Sequence, residues 1–237
     1  MSSYTKVDNK LLFRIDFRPS LKYYDHMFEI ASVLESEYEH WKATHSPAMG
    51  VLFDAESKRQ VNISSQSISF TTKNEAILKD PYEEISKLVV LFLSENNVAE
   101  IRRIGVRRMG IQTVNRTYEE FIDRFFEQFY GSQKQLKDIV ADKLDDVVLV
   151  LQGIKEGFNN RNQFGPLKQE EVERLYGVEE FETAAVDLNK KTAVMVDTDL
   201  FSIIETDLDE ALATIKEALG VSEKMHDDSW KLIQDNV

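Results

Sequence analysis

In the stretch KLLFRIDFRP, residues 10–19, apolar and charged side chains alternate: Phe13, Ile15 and Phe17 fall on one side, Arg14, Asp16 and Arg18 on the other. Successive side chains of a strand point to opposite faces, so this pattern is that of a strand with one face in a core and one in water. Pro19 ends it. A second segment of the same kind, RRIGVRRMG at 102–110, puts Ile104 and Val106 on a core face and Arg103 and Arg107 on the opposite one, with Gly105 between them. Half-buried strands of this sort build antiparallel sheets covered on one side. That constraint governs how the rest of the chain can be arranged.

The remaining elements follow from periodicity and punctuation. Ser20 can cap a helix from about 21 to 43, with Tyr24, Met27, Phe28, Ala31, Leu34, Tyr38 and Trp41 recurring at three and four, until THSPAMG breaks it. Three short strands come next, VLFDAE, RQVNIS and SISFTT, the first two joined through Ser57 and Lys58. Asp80-Pro81 opens a second helix, and the arginine segment forms a long strand from about 101 to 115. Thr117 caps the Phe-rich helix TYEEFIDRFFEQFYG, which ends at Gly131. DDVVLVLQGI is apolar on both faces and reads as a central strand, whereas NNRNQFGPLKQEE reads as a loop entering a short helix. TAAVDL and TAVMVDTDL read as a hairpin about Asn189, Lys190 and Lys191. A helix over 207–219 is expected to stop at Gly220, before a last helical stretch with Trp230.

Each half therefore runs strand, helix, about three strands, helix. A shift of 126 residues (Ile68 onto Val194) lays ISFTTKNEAILKDPYEEI over VMVDTDLFSIIETDLDEA without gaps. The fold expected is α+β: a twisted antiparallel sheet with helices mainly on one face, as two copies of a strand-helix-three-strands-helix unit. The copies are residues 1–100 and 101–237, the second with an inserted segment near 132–180, in one compact body.

Composition narrows the function classes. There is no cysteine, which removes disulfides, thiolate metal sites and thiol nucleophiles and suits a reducing cytoplasm. MSSYTKVDNK lacks the apolar core of a secretory leader, and no apolar run is long enough to span a bilayer, so no membrane partner is expected. The net charge of -13 opposes binding of a polyanion.

LLFRIDFRPSL, QVNISSQSISFTT and RRIGVRRMG resemble the strands of a sporadically distributed family of uncharacterised bacterial proteins, which carry "EIRF", "SLTT" and "RxGLRYIN"-like motifs. VDTDLF and MHDDSWKLI resemble that family's late "DDF" strand and its closing histidine-aromatic pair. Arg103, Gly105 and Arg107 match the family's third motif; Arg108 and Gly110 stand where it has tyrosine and asparagine. The resemblance implies the α+β fold and a patchily distributed, mobile-element or defence-related role, and it carries no activity.

Candidate site residues are Arg14, Asp16, Arg18, Arg103 and Arg107, on the polar face of two strands expected to lie side by side. Arg102 and Arg108 fall on the apolar side and are expected to snorkel out at the strand ends. Asp197 and Asp199 share a strand face and are candidates for an acid/base or metal pair on the same groove. His26, His40, His45 and His226 have no metal-ligand spacing, with His226 read as a helix-start cap; no phosphate loop and no nucleophile elbow is found, so no metal or cofactor is expected. Two functions remain. One is a non-catalytic binding protein taking a small anionic ligand or an acidic protein partner, not nucleic acid. The other is a small-molecule enzyme, hydrolytic in type, using the groove carboxylates. The helix with Phe121, Ile122, Phe125, Phe126, Phe129 and Tyr130 is apolar nearly all round, which points to a homodimer surface or a domain junction.

Overall fold

A computed structural model describes residues 4–34, 37–45, 48–56, 58–73, 80–96, 100–131, 144–176 and 191–237. Both alternating segments form long strands, β1 (Tyr4–Phe17) and β6 (Ile101–Val114), paired antiparallel at the middle of a nine-stranded sheet. α1 (Lys22–Leu34) follows β1. Then come β2 (His40–His45), β3 (Ala48–Asp54), β4 (Arg59–Ser64), β5 (Ser67–Thr72) and α2 (Pro81–Asn96). After β6 the chain forms α3 (Tyr118–Tyr130), β7 (Leu149–Lys155), β8 (Phe158–Leu167), α4 (Gln169–Tyr176), β9 (Thr192–Thr206) and α5 (Leu208–Asn236). The strand order is β2-β3-β4-β5-β1-β6-β9-β8-β7, and every neighbouring pair is antiparallel. The expected α+β class is what the chain adopts. β5 flanks β1 as β9 flanks β6, so the segments matched by the 126-residue shift occupy corresponding places about the β1–β6 junction.

Register decides the layers. Phe13 lies opposite Val106 and Phe70, and Ile15 opposite Ile104 and Ile68, so one face is continuously apolar across the central strands. α1, α2 and α5 cover it, with Tyr23, Met27, Ile85, Val89, Phe92, Ala211 and Ile215 in the core. Towards the β8 side the same face continues under α3 and the end of α5, where Phe121, Phe125, Phe164, Val196, Trp230 and Ile233 meet. Among the described residues, α4 is the helix on the other face, over Met109, Ile111, Leu167 and Met195. Two helix starts are those written in the sequence. The Asp80 carboxylate accepts from the Tyr82 and Glu83 amides, and Thr117 and Glu120 form a reciprocal capping box.

Several expectations need correction. The first helix ends at Leu34, and His40–His45 is a strand pairing with β3. A run such as HWKATH satisfies period two as well as period four, and the ladder with β3 decides in favour of strand. NNRNQFGPL is β8 rather than a loop. Pro166 lies past the last β7 partner, Leu149↔Phe164, on the flank of β8 where β7 has ended, so its missing N–H interrupts no ladder. DDVVLVLQGI contains β7, the edge strand and not a central one. The Phe-rich helix is consumed internally, with Phe121, Ile122, Phe125 and Phe126 all buried within the chain. TAAVDL and the expected hairpin residues Asn189 and Lys190 lie outside the described residues.

α5 runs unbroken through Gly220, which is exposed and right-handed, because its buried stripe from Ala211 to Ile233 outweighs one poor helix former. His226, expected at a helix start, is instead a buried mid-helix residue facing β6. The Trp230 indole N–H donates to His226 Nε2 at 3.1 Å, and His226 Nδ1 faces Thr198 Oγ1 at 3.5 Å. This pair sits directly over Gly110. A Cβ there would lie 2.9 Å from Asn9 Oδ1, His226 Nε2 and Trp230 Nε1 at once. The two glycines therefore predict opposite outcomes in urea unfolding. Gly110→Ala should destabilise by about 2 kcal/mol, since three polar atoms must give way. Gly220→Ala should stabilise by roughly 0.5–1 kcal/mol, since its side chain meets open space.

Candidate functional site

The face opposite the main helix layer is polar over its centre, and register sets its rows. Asn62, Ser69, Arg14, Gly105, Phe201 and Asn159 form one row across β4, β5, β1, β6, β9 and β8. The row to one side carries Asp16 and Arg103; the row to the other carries Leu12, Arg107, Asp199 and Arg161. Beyond that come Met109, Asp197 and Gln163. Arginines thus alternate with carboxylates from strand to strand, as cross-strand neighbours of opposite charge should.

Of the five residues singled out from the sequence, four come together here. Arg14 donates through Nε to Asp16 at 2.7 Å, and Arg103 Nη1 lies 3.7 Å from the other oxygen of the same carboxylate. Arg103 also stacks on the Phe201 ring, 5.0 Å from its centroid. Arg107 stands at the next row, but its guanidinium is committed: Nε and Nη2 bind both oxygens of Asp197, at 2.8 and 2.6 Å. That fork-to-fork pair raises the Arg107 pKa above its ordinary value. Arg18 lies past the end of β1, largely exposed, 3.9 Å from Glu100, and does not join the cluster.

The two other arginines of the segment part company. Arg102 is exposed and pairs with Glu100. Arg108, expected to snorkel outwards, is buried beneath α5, where it donates to the Ser222 hydroxyl at 3.1 Å and reaches the Leu219 carbonyl. Alternation placed it on the apolar side correctly; the polar lining of α5 is what lets it stay inside. Burial lowers its pKa, opposed by the fields of Glu223 and Asp227.

Sequence inspection missed Arg161 and Gln163, because NNRNQFGPL read as a loop. As β8 residues they extend the polar face, and Arg161 Nη2 donates to Gln163 Oε1 at 2.9 Å. Asn62 and Ser69 extend it on the other side, joined by a hydrogen bond at 3.3 Å. Asp197 and Asp199 do face the groove together, yet they differ in state. Asp197 is almost wholly buried and held by Arg107; Asp199 has no ion pair within 4 Å among the described residues. Burial raises the Asp199 pKa above its ordinary value, against the opposing fields of Arg107 and Arg103. Among the described residues no three histidine, aspartate or glutamate side chains are grouped to hold a metal ion, and no helix is long and apolar enough to cross a membrane.

No protein-family model matches the chain, and no curated protein matches it. The site is therefore read from its own geometry.

The raised Asp199 pKa has a sign that can be tested. Protonated Asp199 is favoured in the folded state, so its stabilising contribution is present at low pH and is lost as pH rises through the folded pKa. Asp199→Asn should therefore be more stable than the parent at neutral pH. The advantage should vanish near pH 3, roughly below the ordinary aspartate range. Urea midpoints measured across that range give the comparison.

Proposed function

We propose that this chain is a non-catalytic binding protein that takes a small anionic ligand, or the acidic group of a protein partner, on its open sheet face at Arg14 and Arg103. One observation carries this reading: two guanidinium groups share the single carboxylate of Asp16 beside Gly105, where the sheet has no side chain. An arginine offers five N–H donors and a carboxylate about four acceptor positions, so the pair keeps donors to spare. A Cβ built on Gly105 would meet nothing closer than 3.8 Å, which leaves an anion room to approach the backbone between Arg14 and Phe201. A carboxylate or phosphate oxygen pair is the group that guanidinium forks bind best.

The enzyme reading needs Asp197 and Asp199 to act together. The bidentate hold of Arg107 on Asp197 favours the binding reading over it. Nucleic acid stays outside the proposal, since the net charge of -13 repels a polyanion and Phe201, the aromatic beside the arginines, is covered by Arg103 rather than open to a base. Internal duplication belongs to this reading also: the matching places of β5 and β9 support treating 1–100 and 101–237 as two copies. On that reading the ligand lies at the junction between them. The resemblance to the sporadic bacterial family remains part of the same proposal.

Titration calorimetry with inorganic phosphate and with succinate tests the site. Binding of at least one is expected, weakened about tenfold or more by Arg103→Ala, the loss of one charge-assisted contact. Arg18→Ala should leave it unchanged. DNA and RNA should not bind at about 150 mM salt, where long-range attraction is screened. Equal binding by the parent and by an Arg14→Ala, Arg103→Ala double variant would sink the proposal.

A further inference from the structure

β7 is the last strand of the sheet, and its outer edge has no strand beside it among the described residues. An edge strand exposes a row of unpaired N–H and C=O groups, and monomeric proteins blunt such edges with charge, proline or a bulge. The opposite edge does so: β2 is HWKATH, with Lys42 and two histidines. β7 does not. From Val147 to Ile154 there is no charge and no proline, and Val148, Val150, Leu151 and Ile154 are all substantially exposed. Their exposure on both faces of the strand is the reason the segment reads, in sequence, as a buried one.

The direction of the free backbone groups can be worked out. Glu156 and Gly157, with φ of 50° and 85°, make a two-residue turn of the mirror-image kind between β7 and β8. The residues flanking such a turn, Lys155 and Phe158, form a hydrogen-bonded pair. Alternation then directs the backbone groups of Leu149, Leu151, Gly153 and Lys155 to β8, and those of Val150, Gln152 and Ile154 outwards. Just before β7, the Val148 carbonyl accepts from the Tyr130 hydroxyl at 3.0 Å and is not part of the open row.

The sequence along this edge is self-complementary in charge. It reads DDVVLVLQGIK from Asp145 to Lys155, acidic at one end and basic at the other. In an antiparallel pairing with a second copy centred on Val150, Asp145 lies opposite Lys155, twice by symmetry, and Glu156 faces the uncharged Leu144. Centring on Leu151 instead sets Asp146 against Glu156, a repulsive pair. Centring on Gln152 leaves Lys155 and Glu156 facing Leu149 and Val148. Among these three registers charge therefore selects the first, and in it the outward backbone groups of Val150 meet as a hydrogen-bonded pair.

We infer that β7 is a homodimer interface, in which two copies of this chain join edge to edge, antiparallel, with Val150 opposite Val150 on the two-fold axis. The Phe-rich helix is not this surface, since Phe121, Phe125 and Phe126 are buried within the chain and Phe129 packs half-buried against the same cluster. Joining at β7 makes one sheet from two, pairs the open backbone groups, and sets Val150 beside Val150 and Leu151 beside Leu149 across the junction. The paired segments are short, which places the dimer among the weaker specific associations, in the micromolar range.

The absence of cysteine makes the test clean. Sedimentation velocity should show the 27.4 kDa chain giving way to twice that mass as concentration rises. Under mild oxidation Val150→Cys should crosslink to a covalent dimer many times faster than Leu151→Cys or Ile154→Cys. Val150→Pro removes an N–H that points away from β8, so it should abolish dimerisation while circular dichroism stays that of the parent. Lys155→Asp should weaken association about fivefold, and adding Asp145→Lys should restore it. A monomer at every concentration overturns the inference. So does a dimer that survives Val150→Pro, or faster crosslinking by Leu151→Cys.

Discussion

The pairing of β1 with β6 is the interaction on which the remainder of this molecule depends. It joins thirteen residue pairs at the middle of the sheet, and it brings together strands that are far apart in the chain. Because both strands alternate, one register sets Phe13 and Ile15 beside Val106 and Ile104 and, on the other side, Arg14 and Asp16 beside Gly105 and Arg103. A slip by one residue would drive arginines into the core, so burial of the apolar row fixes the charged row as well. The candidate site is in this sense a by-product of packing: the same register that closes the core assembles the arginines.

The second constraint is the close approach of α5 to β6. Gly110 admits the His226–Trp230 pair, and Ser222 and the Leu219 carbonyl receive Arg108 on the same helix. These polar contacts lie beneath an otherwise apolar layer, where a group left without a partner is costly. They set where α5 sits along the sheet more sharply than apolar packing alone, since hydrogen bonds require direction as well as proximity. A side chain larger than glycine at position 110 would displace both rings.

Much of this was legible in the sequence, and the boundary of legibility has physical causes. β1, β4, β5, β6 and the caps at Asp80 and Thr117 follow from alternation and local hydrogen-bond chemistry, which are properties of a few neighbouring residues. HWKATH, β8 and the edge place of β7 do not, because each is decided by a partner strand elsewhere in the chain. Gly165-Pro166 reads as a turn only until the end of β7 is known. Gly220 reads as a helix stop only until the buried stripe on either side of it is known. For the site, alternation placed Arg14, Asp16, Arg103 and Arg107 on one face. It could not reveal that Asp197 would hold the Nε–Nη2 fork of Arg107, nor that Arg161 would join the groove from β8.

Arginines that share one face differ in what they have left to offer: Arg14 and Arg103 hold donors in reserve, whereas Arg107 has its Nε–Nη2 fork filled. Nitrogen-15 NMR of the arginine Nε–H groups, assigned by single substitutions, reads that difference directly. During titration with phosphate or succinate, the Arg14 and Arg103 signals should shift together and saturate along one binding curve. The Arg107 and Arg108 signals should stay in place. Shifts confined to Arg18 or Arg102, or no saturation in any arginine signal, would contradict the account.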